Sequence, residues 1–404
     1  MEIKTIIIVN DFAYVNGGAS EVAISSAIAL SKKYRVIFFS SVGPIDKVLE
    51  KSNVEIICLG QKPIGDGKKS IALIQGIWNQ RAKLKFKLLL KSLDNNSTII
   101  HLHGWTKSLS SSFVPTMSKM KFKSVLTLHD YFTVCPNGAF YNYNKREICK
   151  LKPMSASCLA SNCDKQSFYH KMWRVLRQFV QKRISGIPGK VNGFIKVSHF
   201  SYNILSQYHK FKNVQLVKNP INMSMHDPVN VAKNESYVAV GSIDFQKGPF
   251  LFAEATKMAD VKSMLIGSGP LEENIKKKFS EIEITGWLAR PDVIDNLNKA
   301  RVLIFPSVWY ETLGLVVLEA ASLGIPSIVA DTSAAKELIE DGVTGLLFKS
   351  NDVNDLTEKI NTLKSDQIVS KLGKEAYLRY WKDPQTKETH FDELKAVYNK
   401  LASL

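Results

Sequence analysis

The sequence predicts an α/β protein of two Rossmann-like, doubly wound domains facing a central cleft. Three observations carry that prediction. Short apolar runs alternate with helical patterns along nearly all of the 404 residues. The alternation breaks once, at Lys218-Asn219-Pro220 and the polar stretch after Asp227-Pro228, and then restarts. The length, with 45% hydrophobic residues, is enough for two cores, and no short repeat or low-complexity tract is present.

The first domain is expected over residues 1–220. Residues 5–10 form a continuous apolar run, as in a strand buried on both faces. Asn16-Gly17-Gly18-Ala19-Ser20 follows, with Ser20 as the expected N-cap of a helix over 21–33. Further strands are expected at 35–41, 54–59, 98–103, 124–128, 193–197 and 214–217. One long helix, 71–93, is expected to carry Arg81, Lys83, Lys85, Lys87 and Lys91 beside Ile71, Trp78, Leu84, Leu88 and Leu89. The second domain, 221–385, repeats the pattern from a strand at 237–241 to one at 327–330. A terminal helix within 386–404 is expected to pack back on the first domain.

Charge is unevenly spread. Residues 1–220 hold 33 Lys plus Arg against 11 Asp plus Glu, a net +22 of the chain's +17. The remainder is therefore at −5, and the basic half points to a polyanionic partner such as a membrane surface. No stretch approaches the ~18–20 apolar residues that cross a bilayer. The run at 5–10 is too short for a signal sequence, so a cytoplasmic protein is expected.

The chemistry concentrates in Phe305-Pro306-Ser307-Val308-Trp309-Tyr310-Glu311-Thr312-Leu313-Gly314-Leu315-Val316-Val317-Leu318-Glu319. A buried strand ends at Pro306, a loop carries Glu311, and Gly314 permits close backbone approach to a ligand. The amides of Leu315 and Val316 at a helix start form an anion site. Glu319 stands one turn deeper on the same face, placed to accept hydrogen bonds from ribose hydroxyls. In Val240-Gly241-Ser242-Ile243-Asp244-Phe245-Gln246-Lys247-Gly248-Pro249, Lys247 is placed to neutralise a departing diphosphate. In the first domain, His103 and His129 stand near strand ends. Cys135, Cys149, Cys158 and Cys163 share a loop-rich segment without Cys-x-x-Cys, read as reduced structural thiols or a metal staple.

The two glutamates, spaced by seven residues on a strand–loop–helix, resemble the hallmark of retaining GT-B glycosyltransferases of family 4, the glycosyl transferases group 1. Leu265-Ile266-Gly267-Ser268-Gly269-Pro270-Leu271, Ile284-Thr285-Gly286-Trp287, Gly324-Ile325-Pro326-Ser327 and Asp341-Gly342-Val343-Thr344-Gly345 are similar to the family in the same order. The resemblance implies a nucleotide-diphosphate sugar donor, retention at the anomeric carbon and no obligatory cofactor or catalytic metal. It implies catalytic roles for His129, Lys247 and Glu311. Donor contacts are implied from Gly17, Gly18, Ser242, Gly314, Leu315, Val316 and Glu319, with His103 toward the acceptor. The family has Arg where this chain has Ser242, which removes one positive charge from the leaving-group pocket. The cysteine spacing resembles an insertion in some polysaccharide-assembly members. The implied acceptor is a lipid-linked saccharide, met at the inner face of the cell membrane during cell-surface polysaccharide assembly. Alternatives are a GT-B-type nucleotide-sugar epimerase, or a non-catalytic nucleic-acid-binding protein; no module of the latter kind is present.

Overall fold

The computed structural model of the chain describes residues 2–64 and 69–403, with side chains from 72 onward in the second run. Strands in chain order are β1 (Thr5–Phe12), β2 (Arg35–Val42), β3 (Glu55–Cys58), β4 (Thr98–Leu102), β5 (Lys123–Leu128), β6 (Tyr141–Asn142), β7 (Glu147–Ile148), β8 (Gly193–Lys196) and β9 (Val214–Leu216). They continue as β10 (Ser236–Val240), β11 (Ser263–Ile266), β12 (Glu283–Ile284), β13 (Ala300–Phe305), β14 (Ser327–Ala330) and β15 (Gly345–Phe348).

The chain divides into two compact units: Met1–Ala139 with Leu151–Pro220 and Thr386–Leu404, and Phe140–Lys150 with Ile221–Gln385. The first unit holds a parallel sheet in the order β3-β2-β1-β4-β5-β8-β9. Its strands read as unbroken apolar runs because helices cover both faces. Ile6, Ile8, Phe38, Ile99 and Val125 form a core with the helix Gly18–Leu30, closed by Leu394, Val397, Tyr398 and Leu401 of the terminal helix Lys387–Ser403. That helix is also pinned by polar contacts. His390 reaches Ser26 Oγ (2.8 Å) and the Lys218 carbonyl (2.7 Å), and Lys123 donates to the carbonyls of Leu401 and Ala402.

The second unit is a parallel sheet in the order β12-β11-β10-β13-β14-β15. Val238, Leu303, Ile304 and Ile328 pack against Phe252 of the helix Pro249–Met258 and Val317 and Ala320 of the helix Leu315–Ser322. The antiparallel hairpin β6-β7 groups with this unit, although the sequence runs the first domain unbroken to Pro220. The cause is local: the Arg146 guanidinium stacks 3.8 Å over the Phe245 ring, and Tyr141 lines the same cavity as Phe245 and Phe250.

Two helix expectations need correction. The first helix starts at Gly18 with Gly17 as its cap, at φ 95°, so Ser20 lies buried inside the first turn instead of capping it. The single helix expected over 71–93 is two helices, Lys69–Ile77 and Gln80–Lys91. Asn79 breaks it. Its side chain accepts from the Ala82 amide at 3.0 Å and donates to the Ser108 carbonyl, while its own amide donates to Ser110 Oγ. A buried Asn with that many partners outside the helix costs less as a cap than as a helix interior residue. Ile71, expected among the apolar partners here, lies outside the side chains described.

Candidate functional site

In the second unit, β13 ends at Phe305, and the loop from Pro306 carries Glu311 to the helix Leu315–Ser322, whose first residue follows Gly314. The loop is held at both sides: the Val308 amide donates to the Gln246 carbonyl (3.0 Å), and the Ala334 amide donates to the Glu311 carbonyl (3.2 Å). The first intrahelical bond runs from Val317 to Gly314 at 2.9 Å, which leaves the amides of Leu315 and Val316 at the positive end of the helix. Gly314 has an ordinary φ of −140°, but a Cβ there would stand 2.8 Å from Ala335 Cβ, so the position is closed to any side chain.

Lys247 ends the short 3₁₀ turn Phe245–Lys247, which Asp244 caps by accepting from the Phe245 amide. Gly248 follows at φ 68°, and a Cβ on it would fall 2.1 Å from the Pro306 carbonyl oxygen. Only glycine lets these two loops touch. The contact brings Lys247 onto Glu311, and the two form an ion pair with Glu311 buried. Lys247 also stands 5.8 Å above the Trp309 ring. Gly241, Ser242, Lys247, Pro306 and Ser307 line one cleft, with Ser242 exposed to solvent. No other cation lines that cleft among the described residues, so the position left by Ser242 is not refilled there.

Glu319 is 3% exposed, and its carboxylate is held by Arg290 at 2.5 Å from the start of the helix Arg290–Leu297. Sequence reasoning missed Arg290. A signal was available: Pro291 marks a helix start, and an arginine in a first turn opposes the helix dipole unless a carboxylate compensates. It also missed two buried polar atoms, Trp309 Nε1 and Gln246 Oε1, which have no partner among the described residues. Trp309 belongs to the loop that carries Glu311, and Gln246 precedes Lys247 in the chain.

In the first unit, Gly17 and Gly18 stand at the start of the first helix, and a Cβ added at Gly17 would meet open space. His103 Nδ1 and His129 Nε2 lie 2.9 Å apart, while His103 Nε2 is buried with no partner among the described residues. Burial holds His129 far below the usual imidazole range, at about 3, so it is neutral at physiological pH. Beside it, burial pushes Asp130 up to about 6. His101 is occupied structurally, between Tyr398 OH and Thr127 Oγ1 at 2.7 Å each. The loop after β4 is fixed by Asp11, a buried carboxylate that accepts from the amides of Lys107 (2.7 Å), Ser108 (2.9 Å) and Leu109 (2.8 Å). That loop carries Lys107 to a cavity it shares with His170, Trp173, Arg174 and Arg177.

Cys149 belongs to the second unit with the β6-β7 hairpin, whereas Cys135, Cys158 and Cys163 belong to the first. Among the described residues no three His, Cys, Asp or Glu side chains are disposed to hold a metal ion. Lys171 Nζ stands 3.5 Å from Cys158 Sγ and 3.2 Å from Cys163 Sγ.

Residues 225–379 match the family model described as glycosyl transferases group 1, which takes in most of the second unit. The chain is 33% identical over 161 residues to the sulfoquinovosyl transferase SQD2 of Arabidopsis thaliana, a match covering 37% of this chain and 31% of that protein. It is 28% identical over 158 residues to the UDP-Gal:alpha-D-GlcNAc-diphosphoundecaprenol alpha-1,3-galactosyltransferase of Escherichia coli, covering 35% of this chain and 40% of the relative. These matches therefore span less than half the length of either relative. Among solved structures, Anabaena Alr3699/HepE in complex with UDP and glucose superposes with a TM-score of 0.68 over 99% of this chain and 100% of its own, at 16% identity, a likeness of fold.

Proposed function

We propose that this chain, which belongs through its second unit to the glycosyl transferases group 1 and has the GT-B fold, is a glycosyltransferase using a nucleotide-diphosphate sugar. One observation carries the reading. Glu311 and Glu319 bracket the start of the helix Leu315–Ser322, and Lys247 stands on buried Glu311. In this reading the diphosphate lies at Leu315 and Val316 and leaves toward Lys247, while Glu319 holds the ribose. Glu311 orients the sugar, and Gly17, Gly18, Ser242 and Gly314 give the donor room. Neutral His129 and His103 keep the roles the resemblance implies for them, in catalysis and toward the acceptor.

Catalysis is then mainly positioning and charge stabilisation, with retention at the anomeric carbon and no metal step. The acceptor is a lipid-linked saccharide in polysaccharide assembly; the name of the Escherichia coli relative gives a diphosphoundecaprenol-linked acceptor for that protein. The surface of the first unit supports a membrane-bound acceptor. Leu84 and Leu88 are 49% and 60% exposed among Arg81, Lys85 and Lys87. Tyr169, Met172, Leu176 and Phe179 form an exposed apolar stripe on the helix Phe168–Phe179. Trp173 of that helix donates to the Leu73 carbonyl of the helix Lys69–Ile77, where Ile74 is exposed. Apolar side chains interleaved with lysines suit an anionic interface.

The test has two stages. Thermal stabilisation by a panel of UDP-, GDP-, ADP- and TDP-sugars identifies the donor, since a ligand of the native state raises its stability. Transfer to lipid-linked acceptors in EDTA follows, with the product's anomeric configuration read by NMR. Donor consumption without acceptor would favour the epimerase reading. Inversion, or strict dependence on a divalent cation, would overturn the mechanism.

A further inference from the structure

In the first unit, Lys107 reaches a cavity of about 230 Å³ that Arg174 and Arg177 of the helix Phe168–Phe179 also line. Arg177 is 7% exposed and donates to the carbonyls of Thr106 and Pro136, each at 3.1 Å. These partners are neutral, so they fix the guanidinium without neutralising it. Arg174 forms an ion pair with Asp164 at 2.6 Å. Lys107 is exposed, and its amine has no hydrogen bond or ion pair among the described residues; it stands 6.0 Å over the Phe132 ring. The nearby acids, Asp11, Asp130 and Asp164, do not line the cavity. Each is bonded to backbone: Asp11 to the three amides given above, Asp130 to that of Phe132 (2.8 Å) and Asp164 to that of Gln166 (2.9 Å). Desolvation, and after it the guanidiniums of Arg174 and Arg177, pull the Lys107 ammonium below its ordinary value although Asp11 and Asp130 oppose them. An anion in the cavity would relieve that crowding, and phosphate oxygens match guanidinium donors well.

The helix that supplies the two arginines also presents an apolar face. His170, Trp173, Arg174 and Arg177, spaced i, i+3, i+4 and i+7, line the cavity. Tyr169, Met172, Leu176 and Phe179, spaced i, i+3, i+7 and i+10, form the neighbouring face, and all four are exposed, Tyr169 by 87%. Large apolar side chains left in solvent beside a cationic cavity fit a ligand with an anionic head and an apolar chain. We propose that this cavity binds the diphosphate head of a lipid-like ester whose chain lies along Tyr169, Met172, Leu176 and Phe179. Three cations on one wall favour a diphosphate over a single phosphate. The proposal rests on the lipid-linked acceptor reading above and names Lys107, Arg174 and Arg177 as its head-group site. Free pyrophosphate offers the same oxygens without a chain, so head and chain need separate probes.

Calorimetric titration of the folded full chain with farnesyl diphosphate, inorganic pyrophosphate and farnesol tests both parts. Farnesyl diphosphate should bind about tenfold or more tighter than either of the others, since both head and chain contribute. Lys107→Gln, at an exposed position, should weaken both diphosphates about tenfold with circular dichroism unchanged. Arg177→Gln should do the same where it folds, and the Lys107 variant decides if it does not. Tyr169→Ser with Leu176→Ser should weaken farnesyl diphosphate and leave pyrophosphate as it was. Equal affinity for the two diphosphates would show a free-anion site and overturn the chained ligand. No binding of either diphosphate, or binding unmoved by Lys107→Gln, would overturn the site. No sugar donor enters these titrations, so their failure leaves the transferase reading standing, and a failure of transfer leaves the binding result standing.

Discussion

Replacing Glu319 tests the donor site most directly. Its side chain is 5% exposed and paired with Arg290, whose side chain is 34% exposed. In Glu319→Ala the arginine can swing toward water, so the stability loss falls between that of a surface pair and that of a buried one, about 1–2 kcal/mol. Binding should suffer more. A ribose hydroxyl on a carboxylate is a charge-assisted hydrogen bond of about 1.5–3 kcal/mol, or roughly 10- to 150-fold in dissociation constant. Glu319→Gln, which keeps the shape and one acceptor oxygen, should lose less than Glu319→Ala. Calorimetric titration with the nucleoside diphosphate of the preferred donor reads the effect, with circular dichroism as the check on folding. Arg290→Gln combined with Glu319→Ala should cost little beyond Glu319→Ala if Arg290 acts through Glu319. A folded Glu319→Ala protein that binds donor like the unmodified chain would refute the ribose role.

Lys247→Ala should lower kcat more than it raises KM, because charge on the leaving group grows in the transition state. Ser242→Arg, at an exposed cleft position, should be tolerated; steady-state kinetics on both variants decide, and inactivation by Ser242→Arg would show a pocket built differently. Reversing Lys83, Lys85 and Lys87 to Glu should weaken sedimentation with anionic vesicles at low salt, and a protein that never sediments with lipid would remove the membrane argument. His390 is depressed by burial to about 4, below its unfolded value, so its contribution is complete above about pH 6.5 and is lost as pH falls toward 4. His390→Gln should therefore flatten the fall of Tm between pH 6.5 and 4; an unchanged slope would place the acid sensitivity elsewhere.

The sheets were legible because buried parallel strands are short, apolar and separated by helical periods, as in residues 5–10 and 300–305. The loop–helix bearing Glu311 and Glu319 was legible for a related reason: an acid directly after Leu315-Val316-Val317-Leu318 is buried and needs a partner. What stayed hidden depends on contacts distant in sequence. Asn79 looks like a helix interior residue until Ser108 and Ser110 claim its polar groups. Arg290 acquires meaning only from Glu319, and the β6-β7 hairpin changes unit because Phe245, nearly a hundred residues on, offers Arg146 a ring. The cysteine segment reads as reduced thiols or a metal staple, and nothing local reveals that Lys171 stands beside Cys158 and Cys163.

The missing arginine at Ser242 sharpens the part played by Glu311. Lys247 is the one cation lining the Ser242 cleft among the described residues, and it is committed to Glu311. In the proposed reading, an incoming diphosphate must therefore compete with that carboxylate, aided by the amides of Leu315 and Val316. Once Lys247 turns to phosphate, Glu311 loses its partner in a buried place, and sugar hydroxyls are the donors that can replace it. Glu311→Gln should then split binding from turnover. Freed from its partner, Lys247 should hold a nucleoside diphosphate more tightly; with side chains 29% and 9% exposed, the pair is worth about 1–2 kcal/mol, or roughly 5- to 30-fold. Turnover should fall, because the amide orients the sugar without a charge. Titration with the nucleoside diphosphate beside steady-state kinetics separates the two effects. If Glu311→Gln weakens nucleoside diphosphate binding in step with turnover, Glu311 assists the diphosphate site and the competition argued here does not operate.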